Sequence, residues 1–261
     1  MLALAACTGV DLGERRAASA RIAPDAGWLR LDLEAHDFVL AAFVPPQLRP
    51  GEVLTVYIEG DGLAYVSGDA PSFDPTPLEP VALRLALRDV PGSAAYLARP
   101  CQYVAGAARR GCEAKFWTSH RFAPEVIRAT GAALDMLKAR AGARRLALVG
   151  YSGGGDVAAL AAAGRDDIAS LTTVAAPLDH AAWTRAERLA PLTGSLNPAD
   201  AWPRLRHIPQ KHYVGGKDRV VGEAPARAYA GRFPASERPP VVVLPEFDHA
   251  CCWVERWPEL K

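Results

Sequence analysis

Charge of one sign is what this 261-residue sequence has least of: 30 Lys plus Arg against 29 Asp plus Glu leave a formal net charge of +1. That balance removes the electrostatic footprint expected of a nucleic-acid-binding surface, so no nucleic-acid partner is expected. Long apolar runs are missing as well. Nothing approaches the roughly 18 consecutive apolar residues a membrane-spanning helix needs, which leaves an attached lipid as the one route to a membrane. There is no internal repeat, heptad run or low-complexity tract. The metal signatures His-Glu-x-x-His and Cys-x-x-Cys are absent, and Gly153-Gly154-Gly155 lacks the Lys-Ser/Thr that would make a phosphate-binding loop. No metal and no cofactor is therefore expected. What remains is a chain that is 50% hydrophobic, of a length that suits one large α/β domain.

The cysteines are few, and their positions point to export. Leu4-Ala5-Ala6-Cys7 resembles the lipobox of bacterial lipoproteins, in which small residues precede a cysteine that receives lipid. It departs from that pattern in lacking a basic segment and a full apolar stretch before it, so residues 1–25 read as a truncated lipoprotein signal followed by a polar tether. The expected location is a lipoprotein of the membrane facing the periplasm, or failing lipidation a periplasmic or secreted protein. Cys101 and Cys112 share one loop region and are candidates for a disulfide. Cys251 and Cys252 are adjacent and read as two partly buried free thiols, with cross-pairing to the 101/112 loop left open.

Apolar patterning alternates between strands and helices. Residues 28–33 and 37–44 read as an antiparallel hairpin at a sheet edge, and 53–58 as a buried strand running into Glu59-Gly60-Asp61-Gly62. Helical spacing covers 79–88, a short strand 94–98, and a long loop 99–121. Pro124 opens a helix, a position proline favours. Strands are expected at 145–149, 171–176, 211–216 and 240–244, helices after Gly153-Gly154-Gly155 and near 223–232, and a short closing helix. Residues 178–206 contain no strand and read as a small lid. Strands alternating with helices imply a mostly parallel sheet covered on both faces.

The chemistry concentrates at Gly150-Tyr151-Ser152-Gly153-Gly154. An apolar strand precedes it and an alanine-rich helix follows, the context of a nucleophile elbow. A serine in such a turn needs a base, and the base needs an acid to fix its tautomer. Asp218 follows the 211–216 strand and His249 the 240–244 strand, so the chain order is Ser152, Asp218, His249. On these residues the sequence resembles the α/β-hydrolase superfamily from about residue 28 to the end. The resemblance implies an α/β-hydrolase fold over residues 26–261, with Ser152 as nucleophile, His249 as general base and Asp218 as orienting acid; Asp179 is the second choice of acid. It also implies an oxyanion hole from the N–H of Gly153 and a second donor at Asp61 or Gly62. The family's usual His-Gly at that loop is Glu59-Gly60 here, which sets two carboxylates beside a site that must hold negative charge. Tyr151, Asp179, His180 and Trp183 are candidates for the substrate pocket. Trp183, Leu189, Leu192 and Trp202 in the lid segment read first as packing of the lid itself, and second as a sign of an acyl or apolar substrate.

The activity expected from this resemblance is hydrolysis of an ester, thioester or amide of a small-molecule or acyl substrate through an acyl-enzyme. The alternatives are an acyltransferase using the same three residues, or a non-catalytic envelope binding module on the same fold.

Overall fold

The computed structural model describes residues 12–261. The first element is helix α1 (Leu12–Asp25). It is followed by strands β1 (Leu29–Ala35), β2 (Phe38–Val44) and β3 (Val53–Ile58), then a small β4–β5 ribbon (Tyr65–Ser67, Ala70–Pro71) and helix α2 (Val81–Leu87). Strand β6 (Ala94–Leu97) leads through the 99–121 loop to α3 (Pro124–Ala141), β7 (Arg145–Tyr151), α4 (Gly153–Ala163) and β8 (Ile168–Val174). Helices α5 (His180–Ala186) and α6 (Trp202–Leu205) precede β9 (Gln210–Gly215). The chain closes with α7 (Ala224–Ala230), β10 (Val241–Leu244) and α8 (Trp253–Leu260).

Eight strands form one sheet in the order β1-β2-β6-β3-β7-β8-β9-β10. β1 pairs antiparallel with β2, and β2 antiparallel with β6; all pairings from β6 to β10 are parallel. The expected entry hairpin is therefore present, with β1 at the edge. Every residue of β2 is buried, which explains its unbroken apolar sequence: a strand covered on both faces has no polar side to alternate with. Two apolar clusters cover the two faces of the sheet. One joins α3 and α4 to the strands through residues such as Leu134, Leu137 and Leu160. The other joins α1, α2 and α8 through Ala23, Leu83, Leu85, Trp253 and Trp257.

Two expectations are corrected here. Residues 12–25 are not a tether but a helix docked on the body: Ala23 is buried, the Ser19 hydroxyl lies 3.0 Å from the Tyr103 hydroxyl, and Arg16 donates to the Ser72 hydroxyl and the Asp74 carbonyl. The helix was hidden because it buries small residues and makes polar contacts, leaving little apolar periodicity to read. Cys251 and Cys252 are not free thiols; they are bonded to each other. The turn is tight enough to allow it because the Asp248 carboxylate accepts from both the Ala250 and Cys251 amides, and Cys252 takes a left-handed conformation, φ 79°. Cys101 and Cys112 are bonded as expected. Cys7 lies outside the described residues.

Candidate active site

The turn after β7 carries a serine in an unfavourable conformation. Ser152 has φ 50° and ψ −132°, a region a side-chain-bearing residue seldom occupies without compensation. The compensation is local packing. A Cβ on Gly150 would come within 2.3 Å of the Gly154 carbonyl oxygen, and one on Gly155 within 2.4 Å of Ala176 Cβ, so glycine there lets α4 close onto β7 and β8. The Ser152 amide donates to Val174 O at 2.8 Å and its carbonyl accepts from Gly155 N at 2.8 Å. The hydroxyl is left projecting at the carboxyl end of the parallel strands, where α/β sheets place their ligands.

The structure brings Asp218 and His249 to the same edge. His249 Nε2 is 3.1 Å from Ser152 Oγ, and His249 Nδ1 is 2.8 Å from Asp218 Oδ2. The other Asp218 oxygen accepts from the amides of Val220 and Val221 at 2.8 and 3.0 Å. Burial alone pushes the Asp218 carboxyl up. The hydrogen bond and charge of His249 and the two amides outweigh it and hold the group below the ordinary range. An ionised carboxylate on Nδ1 fixes the tautomer that leaves Nε2 free to accept a proton. The histidine backbone is also held: its carbonyl accepts from the Tyr151 hydroxyl at 2.9 Å and from Trp253 Nε1 at 3.1 Å.

The loop after β3 lies against this turn. A Cβ on Gly60 would sit 3.2 Å from Ser152 Cβ. Among the described residues no acceptor meets the amides of Gly153, Asp61 or Gly62, which leaves them available to a substrate oxygen. Gly62 has φ 65° and is boxed in by Pro75 O. Glu59 is fully buried and caps α2, accepting from the amides of Ala82 and Leu83 as well as Gly60. Desolvation raises its carboxyl to about 7, against the lowering effect of those amides. Asp61 instead is paired with Arg99 at 3.1 Å and Arg121 at 2.5 Å. Burial favours its neutral form, but the charges of Arg121 and Arg99 win and keep the carboxyl below its ordinary range. The two acidic residues beside the site are thus a helix cap and an ion-paired anion.

A cavity of about 400 Å³ opens over Ser152 and His249. Its walls include Leu63, Leu78, Pro177, Trp183, Val220 and Val221, with Glu59, Asp61, Glu79, Arg121 and Tyr151 as further polar or charged members. Of the pocket candidates, Tyr151 and Trp183 line it; Asp179 and His180 do not. Asp179 caps α5, accepting from Ala182 N and Asn197 Nδ2 at 3.1 Å each, and faces Arg232. His180 is turned into the protein, Nε2 toward Leu196 O at 3.2 Å. Both follow β8, but the start of α5 consumes them. In the 178–206 segment only Trp183 reaches the cavity, held by its indole N–H to Val220 O at 2.8 Å. Leu192 is buried in the core, Trp202 packs on Phe233, and Leu189 is exposed.

No family model and no curated protein matches the chain. Solved structures do. An α/β serine hydrolase from Xanthomonas campestris, described as having no lid, matches with TM-score 0.53 and 16% identity over 89% of each chain. An α/β serine hydrolase homologue from Coxiella burnetii matches with TM-score 0.58 and 15% identity, covering 89% of this chain and 93% of that one. An esterase from Pyrococcus furiosus reaches TM-score 0.60 at 13% identity, covering 91% and 88%. This chain has the α/β-hydrolase fold. Within that fold, the elbow, the acid and the histidine occupy the ends of β7, β9 and β10, and the candidate oxyanion loop the end of β3.

Sequence reasoning missed Arg99 and Arg121, the partners of Asp61, because they lie 38 and 60 residues away from it. The one available signal was an unexplained carboxylate beside an anion site, which calls for a cation.

Proposed function

We propose that this chain is a serine hydrolase that cleaves an acyl ester or thioester through a covalent acyl-enzyme. The observation that carries the reading is the continuous hydrogen-bonded line from Ser152 Oγ to His249 to Asp218, next to the backbone amides of Gly153 and Asp61. In the acylation step His249 Nε2 takes the Ser152 proton as Oγ attacks the substrate carbonyl. The carbonyl oxygen becomes an oxyanion facing the Gly153 and Asp61 amides. His249 returns the proton to the leaving alcohol or thiol, and water repeats the sequence to release the acid and restore Ser152. The apolar part of the cavity, from Leu63, Leu78, Pro177, Trp183, Val220 and Val221, supports an uncharged acyl chain, and the cavity's volume suits a small substrate.

A fluorophosphonate probe should label the wild-type protein and not Ser152→Ala. Equal labelling of the variant would sink the nucleophile assignment, and labelling of neither would favour a binding module. A series of p-nitrophenyl esters of increasing acyl length then reads the substrate range. We propose in addition that the protein is exported and lipidated at Cys7; metabolic labelling with palmitate, lost in Cys7→Ser, tests that.

A further inference from the structure

The pairing of Asp61 is more elaborate than a structural ion pair requires. Its two carboxylate oxygens are divided between two guanidinium groups, Oδ1 to Arg99 Nη1 and Oδ2 to Arg121 Nη1. The arginine side chains are only 5% and 8% exposed. The arginines are also tied to each other, since Arg99 Nη2 donates to the Arg121 carbonyl oxygen. Arg121 Nε is fixed by Thr118 O at 2.7 Å, and Arg99 lies over the Phe122 ring with its guanidinium carbon 5.5 Å from the centroid. The same loop reaches the neighbouring peptide: Gln102 accepts from Arg99 N and donates to Gly60 O at 2.9 Å. Burying three charges is expensive, and an apolar replacement of such a triplet is often no less stable. Fold stability alone does not account for it.

Its position does. The Asp61 carboxylate lies against the first residue of α4, where a Cβ on Gly153 would meet Asp61 Oδ1 at 2.2 Å. Gly153 and Asp61 are two of the site residues whose amides have no acceptor among the described residues. A lone carboxylate there would oppose an oxyanion; one carboxylate with two guanidinium groups leaves a net positive charge. Two further carboxyls bear on the charge here: Glu59, raised by burial to about 7, and Asp156, which is wholly buried with neither oxygen hydrogen-bonded. Burial drives its carboxyl well up, toward the neutral acid, so it does not cancel that charge.

We propose that Arg99, Asp61 and Arg121 form a positioning unit for the oxyanion hole. The two arginines hold the Asp61 carboxylate, and with it the Asp61 amide, against Gly153. The proposal rests on the serine hydrolase reading. Neither arginine touches the reacting atoms in it; both act through Asp61.

The test compares Asp61→Asn, Arg99→Met and Arg121→Met with Arg165→Met, which breaks a partly buried ion pair to Asp135 and Asp167 away from the site. Two quantities are measured on each folded variant: hydrolysis of a p-nitrophenyl acyl ester, and inhibition by an alkyl boronic acid, whose adduct on Ser152 is a tetrahedral anion. In the three site variants kcat should fall about 10- to 100-fold with KM changed by less than about threefold, as loss of preorganised oxyanion stabilisation predicts. Boronate affinity should fall in parallel with kcat/KM. Arg165→Met should lose stability and keep its kcat. A folded Asp61→Asn or Arg121→Met that keeps both kcat and boronate affinity overturns the positioning unit, as does a loss confined to KM. If Arg99→Met fails to fold, Asp61→Asn and Arg121→Met decide the matter. Ester hydrolysis and Ser152 labelling in the wild type with unaffected variants removes only this proposal; absence of both in the wild type removes the hydrolase reading with it.

Discussion

The Tyr151 hydroxyl donates to the carbonyl oxygen of His249 at 2.9 Å, across 98 residues of sequence. The residue before the candidate nucleophile therefore holds the backbone of the candidate base, and the two rings lie 5.5 Å apart. Trp253 Nε1 donates to the same carbonyl, so Tyr151→Phe removes one of two restraints and leaves the ring in place. One neutral hydrogen bond contributes about 1 kcal/mol. The expected outcome is a kcat lowered about fivefold, with KM nearly unchanged and Ser152 still labelled by a fluorophosphonate. Steady-state kinetics checks it; an unchanged kcat would show that Trp253 alone sets the histidine.

Asp218 and Asp179 separate cleanly. Asp218 contacts His249 Nδ1, whereas Asp179 caps α5 and meets Asn197. Asp218→Asn should lower kcat by about 1,000- to 10,000-fold, the scale on which loss of the orienting carboxylate acts. Asp179→Asn should leave kcat near the wild-type value and lower the melting temperature, since an asparagine still caps but loses its charge toward Arg232. Activity lost in the Asp179 variant and kept in the Asp218 variant would reverse the assignment.

The Cys101–Cys112 bond closes a segment with a sequence separation of 11. The chain-entropy estimate for a loop of that size is about 3 kcal/mol. Both arginines that hold Asp61 lie outside the closed segment. The double variant Cys101→Ser/Cys112→Ser should therefore unfold at lower denaturant concentration while keeping kcat within about threefold at temperatures where it is folded. Chemical denaturation read beside kinetics tests this; a large fall in kcat at full folding would tie the loop to the site more tightly than the contacts indicate.

Much of this molecule was legible before its structure. Strand β2 announces itself because burial on both faces leaves only apolar residues to write it, and β3 and β7 do so nearly as well, with Thr55 and an exposed Arg145 as the exceptions. The elbow and the order Ser152, Asp218, His249 were readable because each residue sits just past a recognisable strand. What could not be read depends on pairing over distance. Asp61 and Glu59 looked alike in sequence, two carboxylates in one Gly-rich turn, yet one is neutralised by arginines 38 and 60 residues on and the other caps a helix 23 and 24 residues on. Asp179 and His180 were misplaced because a residue past a strand end can equally well start a helix. Helix α1 buries Ala23 and Ser19 rather than large side chains, and so leaves no stripe.

Glu59 gives the molecule a stability that depends on pH in an unusual direction. Its carboxyl is raised from 4.5 to about 7, chiefly because it is wholly desolvated. The folded protein therefore holds a proton on Glu59 that the unfolded chain has already released between those two values. Wherever the folded state binds more protons, stability falls as pH rises. The favourable contribution is complete below about pH 4.5 and is lost by about pH 7, by up to roughly 3 kcal/mol for a shift of this size. A glutamine at this position keeps one oxygen to accept from Gly60 and Ala82, sets its NH2 against the Leu83 amide, and does not titrate. Denaturation of wild type and Glu59→Gln across this range should give curves whose difference changes steadily, the variant gaining on the wild type as pH rises. Parallel curves would mean that Glu59 ionises in the folded state as readily as in water, and that the amides of α2 and Gly60 offset its burial in full.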